Sequence, residues 1–182
     1  MSKMKPLLKI PYTAFNHNWD LLQQFLERRD NPRYELVGDV NLFNREDISD
    51  LGNLVRVDGY LDLSESAIQS LGALEYVGGV LELYNTPIKS LRKLQYVGGD
   101  LLLNNTPIES LGNLVRVDGY LNLRDTPIQS LGNLEYVGRY LSLEDTQIKS
   151  LGNLEYVNGN IWLKRNHQIP EEQLTKFKIE YI

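Results

Sequence analysis

A period of twenty residues runs through most of this 182-residue chain. The stretch SLGNLEYV begins at Ser130 and begins again at Ser150. Six units follow one another without gaps, starting at Asp50, Ser70, Ser90, Ser110, Ser130 and Ser150. They share the pattern S-L-G-N-L-x-x-V-x-G-x-L-x-L-x-x-T-P-I-x. An irregular unit, Tyr34 to Ile48, precedes them with one residue inserted. A fixed period of this size indicates a solenoid or a propeller, because each unit is too small to bury its apolar face alone.

The apolar positions predict how one coil runs. Leu121 and Leu123 alternate with Tyr120 and Asn122, the period of two that a strand with one buried face requires. Pro127 cannot donate to a ladder and marks the turn out of that strand. Ile128, Leu131, Leu134 and Val137 then recur every third residue, as on an extended or 3₁₀-like return path. Twenty residues leave no room for a full α-helix in each coil, so the return arm is expected to be short and irregular. Ser66, Thr86, Thr106, Thr126 and Thr146 fall in one column, followed by Asn166. Their small side chains suit backbone groups left free by the turn.

An array needs covered ends. Asn18 caps a predicted helix over NWDLLQQFLERRDNP, with Asp20 in its first turn and Arg28 and Arg29 in its last. Trp19, Leu22, Phe25 and Leu26 share its apolar face. Beyond the array, Pro170 opens a short helix whose Leu174 and Phe177 close the other end. The expected organisation is an N-terminal extension and capping helix over residues 1–33, a solenoid over 34–169 and a C-terminal cap over 170–182. Residues 50–109 and 110–169 also read as two copies of a sixty-residue block, since LGNLVRVDGYLDL at Leu51 is nearly repeated at Leu111.

The residues LNLRDTPIQSL and IWLKRNHQI resemble the L-x-L-x-x-N/T-x-I core of leucine-rich repeats. The twenty-residue length is similar to the shortest bacterial class, that of YopM-like effectors, and the V-G-G-x-L-x-L-x-x-T-P-I style is similar to short repeat proteins of phages and bacteria. The resemblance covers roughly residues 34 to 169. It implies an α/β-type solenoid of six to seven coils with one parallel β-sheet, used to bind other proteins. It also implies a phage or bacterial protein that binds and inhibits a host factor, such as a defence protein.

Chemistry is sparse. The chain has no cysteine, which removes disulfides, thiol catalysis and cysteine–zinc sites, and only two histidines, His17 and His167, expected at opposite ends of the stack. Neither a metalloprotease helix motif nor a phosphate-binding glycine loop is present. The net charge is −5, with 19 basic residues scattered among 24 acidic ones. Nucleic-acid binding, which needs clustered cations, is not expected, nor is membrane binding. No cofactor or metal is expected. The absence of cysteine and of a secretory-type start makes the cytoplasm the default location. Glu144 and Asp145, near Asp125, are the one enzymatic lead, since paired carboxylates cleave glycosidic bonds. The same acids also read as a charged rim shared with Lys164 and Arg165.

Residues twenty apart become neighbours in columns about 4.8 Å apart. The inward leucine columns hardly vary, whereas the outward ones do. Tyr60, Val80, Asp100, Tyr120, Tyr140 and Asn160 form the first outward column. Asp62, Glu82, Leu102, Asn122, Ser142 and Trp162 form the second. Ser64, Tyr84, Asn104, Arg124, Glu144 and Lys164 form the third. Candidate partner-binding residues are therefore Tyr60, Tyr84, Leu102, Tyr120, Arg124, Tyr140, Trp162 and Lys164, types that anchor interfaces. Ordinary strand propensity accounts for exposed tyrosine equally well. A further column of Tyr76, Tyr96, Tyr136 and Tyr156 alternates with Arg56 and Arg116, as a packing rim or a second interface. The expected function is a non-enzymatic scaffold that binds another protein. The alternatives are a carbohydrate-active enzyme on the solenoid surface and a structural or surface protein.

Overall fold

The computed structural model describes residues 7–182, so the first part of the expected N-terminal extension, residues 1–6, lies outside the described residues. The twenty-residue period becomes a parallel β-solenoid of about seven turns. Strands twenty residues apart pair in register, for example Leu121 with Leu101 and Leu141. The ladder bonds are short, as from the Leu121 N–H to the Tyr140 carbonyl at 3.0 Å.

The structure differs from a one-sheet horseshoe. It has two eight-stranded parallel sheets. The front sheet holds Val40–Asn41, Leu61–Asp62 and their successors up to Asn160–Leu163, ending on Lys178–Tyr181. The back sheet starts on Leu8–Pro11 and runs through Tyr34–Val37, Leu54–Val57 and Tyr76–Val77 to Tyr156–Val157. Each coil contributes a back strand where the sequence predicts a mostly irregular return arm. Those strands are mostly two residues long, too short to show an alternating pattern. No helix lies within the coils among the described residues, so the helical content is confined to the ends.

Six inward columns fill the interior, three of them being those of Leu63, Leu71 and Leu74 with their counterparts twenty residues on. Leu61, Leu81, Leu101, Leu121, Leu141 and Ile161 are all 0% exposed, as are Val57, Val77, Val97, Val117 and Val137. Ile68, Ile88, Ile108, Ile128 and Ile148 close the third corner. Burying one such side chain contributes about 2 kcal/mol. Burial by stacking is therefore the main stabilising term, and every internal coil depends on both neighbours.

The repeated polar residues serve the corners. The hydroxyls of Thr86, Thr106 and Thr126 each donate at 2.6 Å to the carbonyl three residues back, at Leu83, Leu103 and Leu123. The serine that begins each unit accepts the N–H of the residue two positions on, as Ser130 does from Gly132 at 3.1 Å. Gly132 has φ +58°, left-handed, and Gly52, Gly72, Gly112 and Gly152 share that geometry. Arg92 occupies the same column with φ 48°, where an L-residue is strained. A different constraint acts at Gly98, whose φ is ordinary. A Cβ there would overlap the Gly78 carbonyl oxygen of the coil beneath.

The caps form from both ends of the chain. Helix α1 spans Trp19–Glu27, and the Asn18 side chain accepts the Leu21 N–H at 3.0 Å. Trp19, Leu22 and Leu26 are buried on the first coil, while Phe25 meets Phe15 edge-on at 5.1 Å. Asp30 and Asn31, both at positive φ, end the helix. Helix α2 is one turn, Glu171–Leu174, preceded by Pro170 and burying Leu174. The final strand, Lys178–Tyr181, adds to the front sheet beside Asn160–Leu163.

Two substitutions separate these constraints. Arg92→Gly relieves the left-handed strain and is expected to stabilise the fold by about 1 kcal/mol in chemical denaturation. Gly98→Ala is expected to destabilise it by about 3 kcal/mol or more, because both clashing atoms are backbone.

Candidate functional site

The front sheet sets each outward column one residue from a buried leucine, so its side chains lie on the face away from the core. The first candidates lie apart. Tyr60 sits near the N-terminal end, where its hydroxyl accepts from Asn41 at 3.4 Å. Tyr84 and Leu102 are half-buried in the middle coils. In the middle column Glu82 stacks beside Asp62, and burial first, then that neighbouring charge, raises the Glu82 carboxyl above its ordinary value. Leu102 ends this run of acids.

The later coils bring the remaining candidates together. Trp162 stacks on Tyr140 with ring centroids 5.3 Å apart and planes 13° from parallel. It also meets Tyr120 edge-on at 5.9 Å. Tyr120 and Trp162 belong to coils two steps apart, and the intervening residue of the Trp162 column is Ser142. Its small side chain leaves room for the indole to reach across, and Ser142 is itself 1% exposed. The Trp162 indole N–H donates to Glu180 at 2.9 Å, and the Asn160 amide donates to the same carboxylate oxygen at 2.8 Å. These two bonds hold Glu180 below the usual carboxylate range. Tyr140 remains 45% exposed, so the cluster is fixed in place while offering a ring to solvent.

Sequence reasoning placed Trp162 and the tyrosines on one face but missed Ser142 and Glu180. The signal for Ser142 was a small residue one period before a tryptophan. Glu180 carries no such signal, because it pairs with Trp162 at a separation of eighteen residues, outside the repeat period.

Charged residues border the cluster as pairs. Arg124 lies 3.2 Å from Asp125 and 3.7 Å from Glu144, and Lys164 pairs with Asp145. Asp125 and Asp145 also share a left-handed turn column with Asn85 and Asn105, at φ 52° to 57°. Asp and Asn tolerate that conformation better than other residues. Beyond Lys164 a polar cleft of about 410 Å³ opens, lined in part by Thr146, Lys149, Lys164 and His167. The turn above it is one residue longer than its neighbours, Leu163 to Ile169 against Leu143 to Ile148.

The two histidines are at opposite ends. His17 meets Tyr12 edge-on at 5.3 Å, and His167 stacks on Tyr181 at 5.9 Å. No group of three potential metal ligands occurs among the described residues. No helix among them is long and apolar enough to cross a membrane.

The back sheet carries a second aromatic array. Arg56 lies 3.4 Å from the Tyr76 ring centre, and Tyr76 stacks on Tyr96 at 4.8 Å. Arg116 lies 3.8 Å from the Tyr136 ring, and Tyr136 stacks on Tyr156 at 5.0 Å. Asp118 accepts from both the Tyr96 hydroxyl, at 2.5 Å, and the Arg116 guanidinium, at 2.6 Å. That hydrogen bond, with burial behind it, pushes the Tyr96 hydroxyl up to about 12. The expected rim is thus a continuous ladder of rings and guanidinium groups.

No known protein family matches the chain, and neither a curated protein nor a solved structure matches it.

Burial raises the Tyr120 hydroxyl above the ordinary tyrosine value, and a hydrogen bond with Ser142 partly offsets the rise. The stability tied to this group is present below the ordinary value and is lost as pH rises through the raised one. Trp162→Ala uncovers Tyr120, so its titration, followed by ultraviolet absorbance, is expected to move down toward the ordinary value. An unmoved titration would show that the indole does not shield it.

Proposed function

We propose that the chain is a non-enzymatic repeat scaffold that binds another protein through the C-terminal half of its front sheet. The observation that carries this reading is the Tyr120–Tyr140–Trp162 cluster, pinned by Glu180 and exposed at Tyr140. Rigid aromatic side chains contribute contact area at little entropic cost, and arginine or lysine at the rim adds orientation. Arg124 and Lys164 take that second role, and Tyr60, Tyr84 and Leu102 extend the surface toward the other end.

The internal duplication supports the same division. In the back column the first block reads Arg56, Tyr76, Tyr96 and the second reads Arg116, Tyr136, Tyr156, an unchanged copy. In the front columns Asp62, Glu82 and Leu102 have become Asn122, Ser142 and Trp162. The ladder has been retained while the front has diverged.

The resemblance to short leucine-rich repeats extends this reading to a cytoplasmic phage or bacterial protein that binds and inhibits a host factor. The glycosidase alternative is weaker. Asp125 and Asp145 have a turn role shared with asparagines, and all three acids of that lead face cations.

Capture from the native host with the wild type beside a Tyr120→Ala/Tyr140→Ala/Trp162→Ala variant tests the proposal. A single partner held by the wild type and at least tenfold depleted on the folded variant is expected. Equal capture by both would remove the front cluster as the interface, and hydrolysis of a glycan panel by the wild type alone would reinstate the enzyme.

A further inference from the structure

The back ladder is closed at one end and open at the other. At the N-terminal end Lys9 pairs with Glu35 at 3.1 Å, and Glu35 stands in register with Arg56. Next come Tyr76 and Tyr96, then Arg116, then Tyr136 and Tyr156. The pair Tyr76–Tyr96 therefore lies between two guanidinium rungs, whereas Tyr136–Tyr156 has one only on the Arg116 side. Tyr156 is 46% exposed, and Val157 is partly exposed where Val57 to Val137 are not. The cations further along the chain are placed elsewhere: Lys164 pairs with Asp145, Arg165 lies 5.2 Å from the Tyr181 ring, Lys176 lies 5.1 Å from the Phe177 ring, and Lys178 stands in the front sheet beside Asn160.

The backbone at this edge is unfilled in the same way. One coil earlier, Glu135 accepts from the Glu155 and Tyr156 N–H groups, Val137 from Asn158 and Arg139 from Gly159. The corresponding carbonyls of Glu155, Val157 and Gly159 accept no backbone N–H among the described residues. They form a row of acceptors on alternate residues, the array that an added strand fills. Glu135 and Glu155 flank the last two rings, are exposed, and form no ion pair among the described residues.

We propose that the Tyr156–Val157 edge is a second binding site, which takes an extended basic segment of a partner protein as an added strand. The segment's N–H groups bond to the carbonyls of Glu155, Val157 and Gly159. Its arginine or lysine lies over the free face of Tyr156, supplying the missing cationic rung, with Glu155 and Glu135 beside the charge. This site is on the opposite sheet from the aromatic cluster and does not depend on it.

The test is a titration of isotope-labelled full-length protein with a terminally blocked Thr-Val-Arg-Val-Thr peptide, followed by amide chemical shifts. The control peptide carries citrulline, which has the shape of arginine without its charge. The arginine peptide is expected to shift the amides of Glu155, Tyr156, Val157 and their neighbours, and to bind about tenfold tighter than the control. Glu155→Gln is expected to narrow that preference. Tyr156→Leu, which keeps an apolar side chain at the edge, is expected to remove most of it. Equal affinity for both peptides, shifts elsewhere, or no shift at millimolar peptide would overturn the proposal. Edge shifts that follow protein concentration without peptide would also overturn it, assigning the edge to a second copy whose Lys9 supplies the rung.

Discussion

The parallel backbone ladder between residues twenty apart is the interaction on which the rest depends. It sets each side chain about 4.8 Å from the side chain one period away, so the column is the unit of stability. A column of leucines gains from this repetition. A column of like charges does not, because identical charges would stack without relief. The back ladder avoids that conflict by placing two tyrosines between successive arginines, so that Arg56 and Arg116 are three coils apart. The front acids stack only as far as Asp62 and Glu82 before Leu102 intervenes. In one corner column Asp58, Asp118 and Asn158 carry side chains, whereas at Gly78, Gly98 and Gly138 a Cβ would meet the backbone of the coil beneath.

Much of this was legible in the sequence, because a column declares itself whenever the period is fixed. The inward leucines, the threonine turn, the Asn18 cap and the facing of Trp162 with the tyrosines all follow from spacing. The second sheet did not follow. A two-residue strand such as Tyr136–Val137 is too short to alternate, and its pairing is visible only once coils are stacked. The final strand was hidden for another reason. Ile179 and Glu180 lie eighteen residues from Ile161 and Trp162, outside the period. Without that strand nothing pointed to Glu180 as the residue that fixes the indole.

The two faces divide the work between them. The back column saturates its own contacts, ring on ring and cation on ring, and ends on an exposed tyrosine. Variation is concentrated on the front, where a serine in place of a larger residue lets one tryptophan bridge two coils. A surface built on repeated columns can change a side chain without moving the backbone beneath it, which is the property a binding scaffold needs. The acids beside the cluster fit the same frame, as turn residues and ion-pair partners.

The front side chains lie on the face away from the core, so the front columns are free to vary without loss of the fold. Guanidinium unfolding of a chain with Tyr60, Tyr84, Leu102, Asn122, Arg124 and Glu144 all replaced by threonine, a good strand former, tests it most directly. One cooperative transition is expected, with an unchanged denaturant dependence and a stability within about 2 kcal/mol of the parent. A broken transition, or a loss matching that of an inward Leu→Ala replacement at about 3 kcal/mol or more, would contradict it.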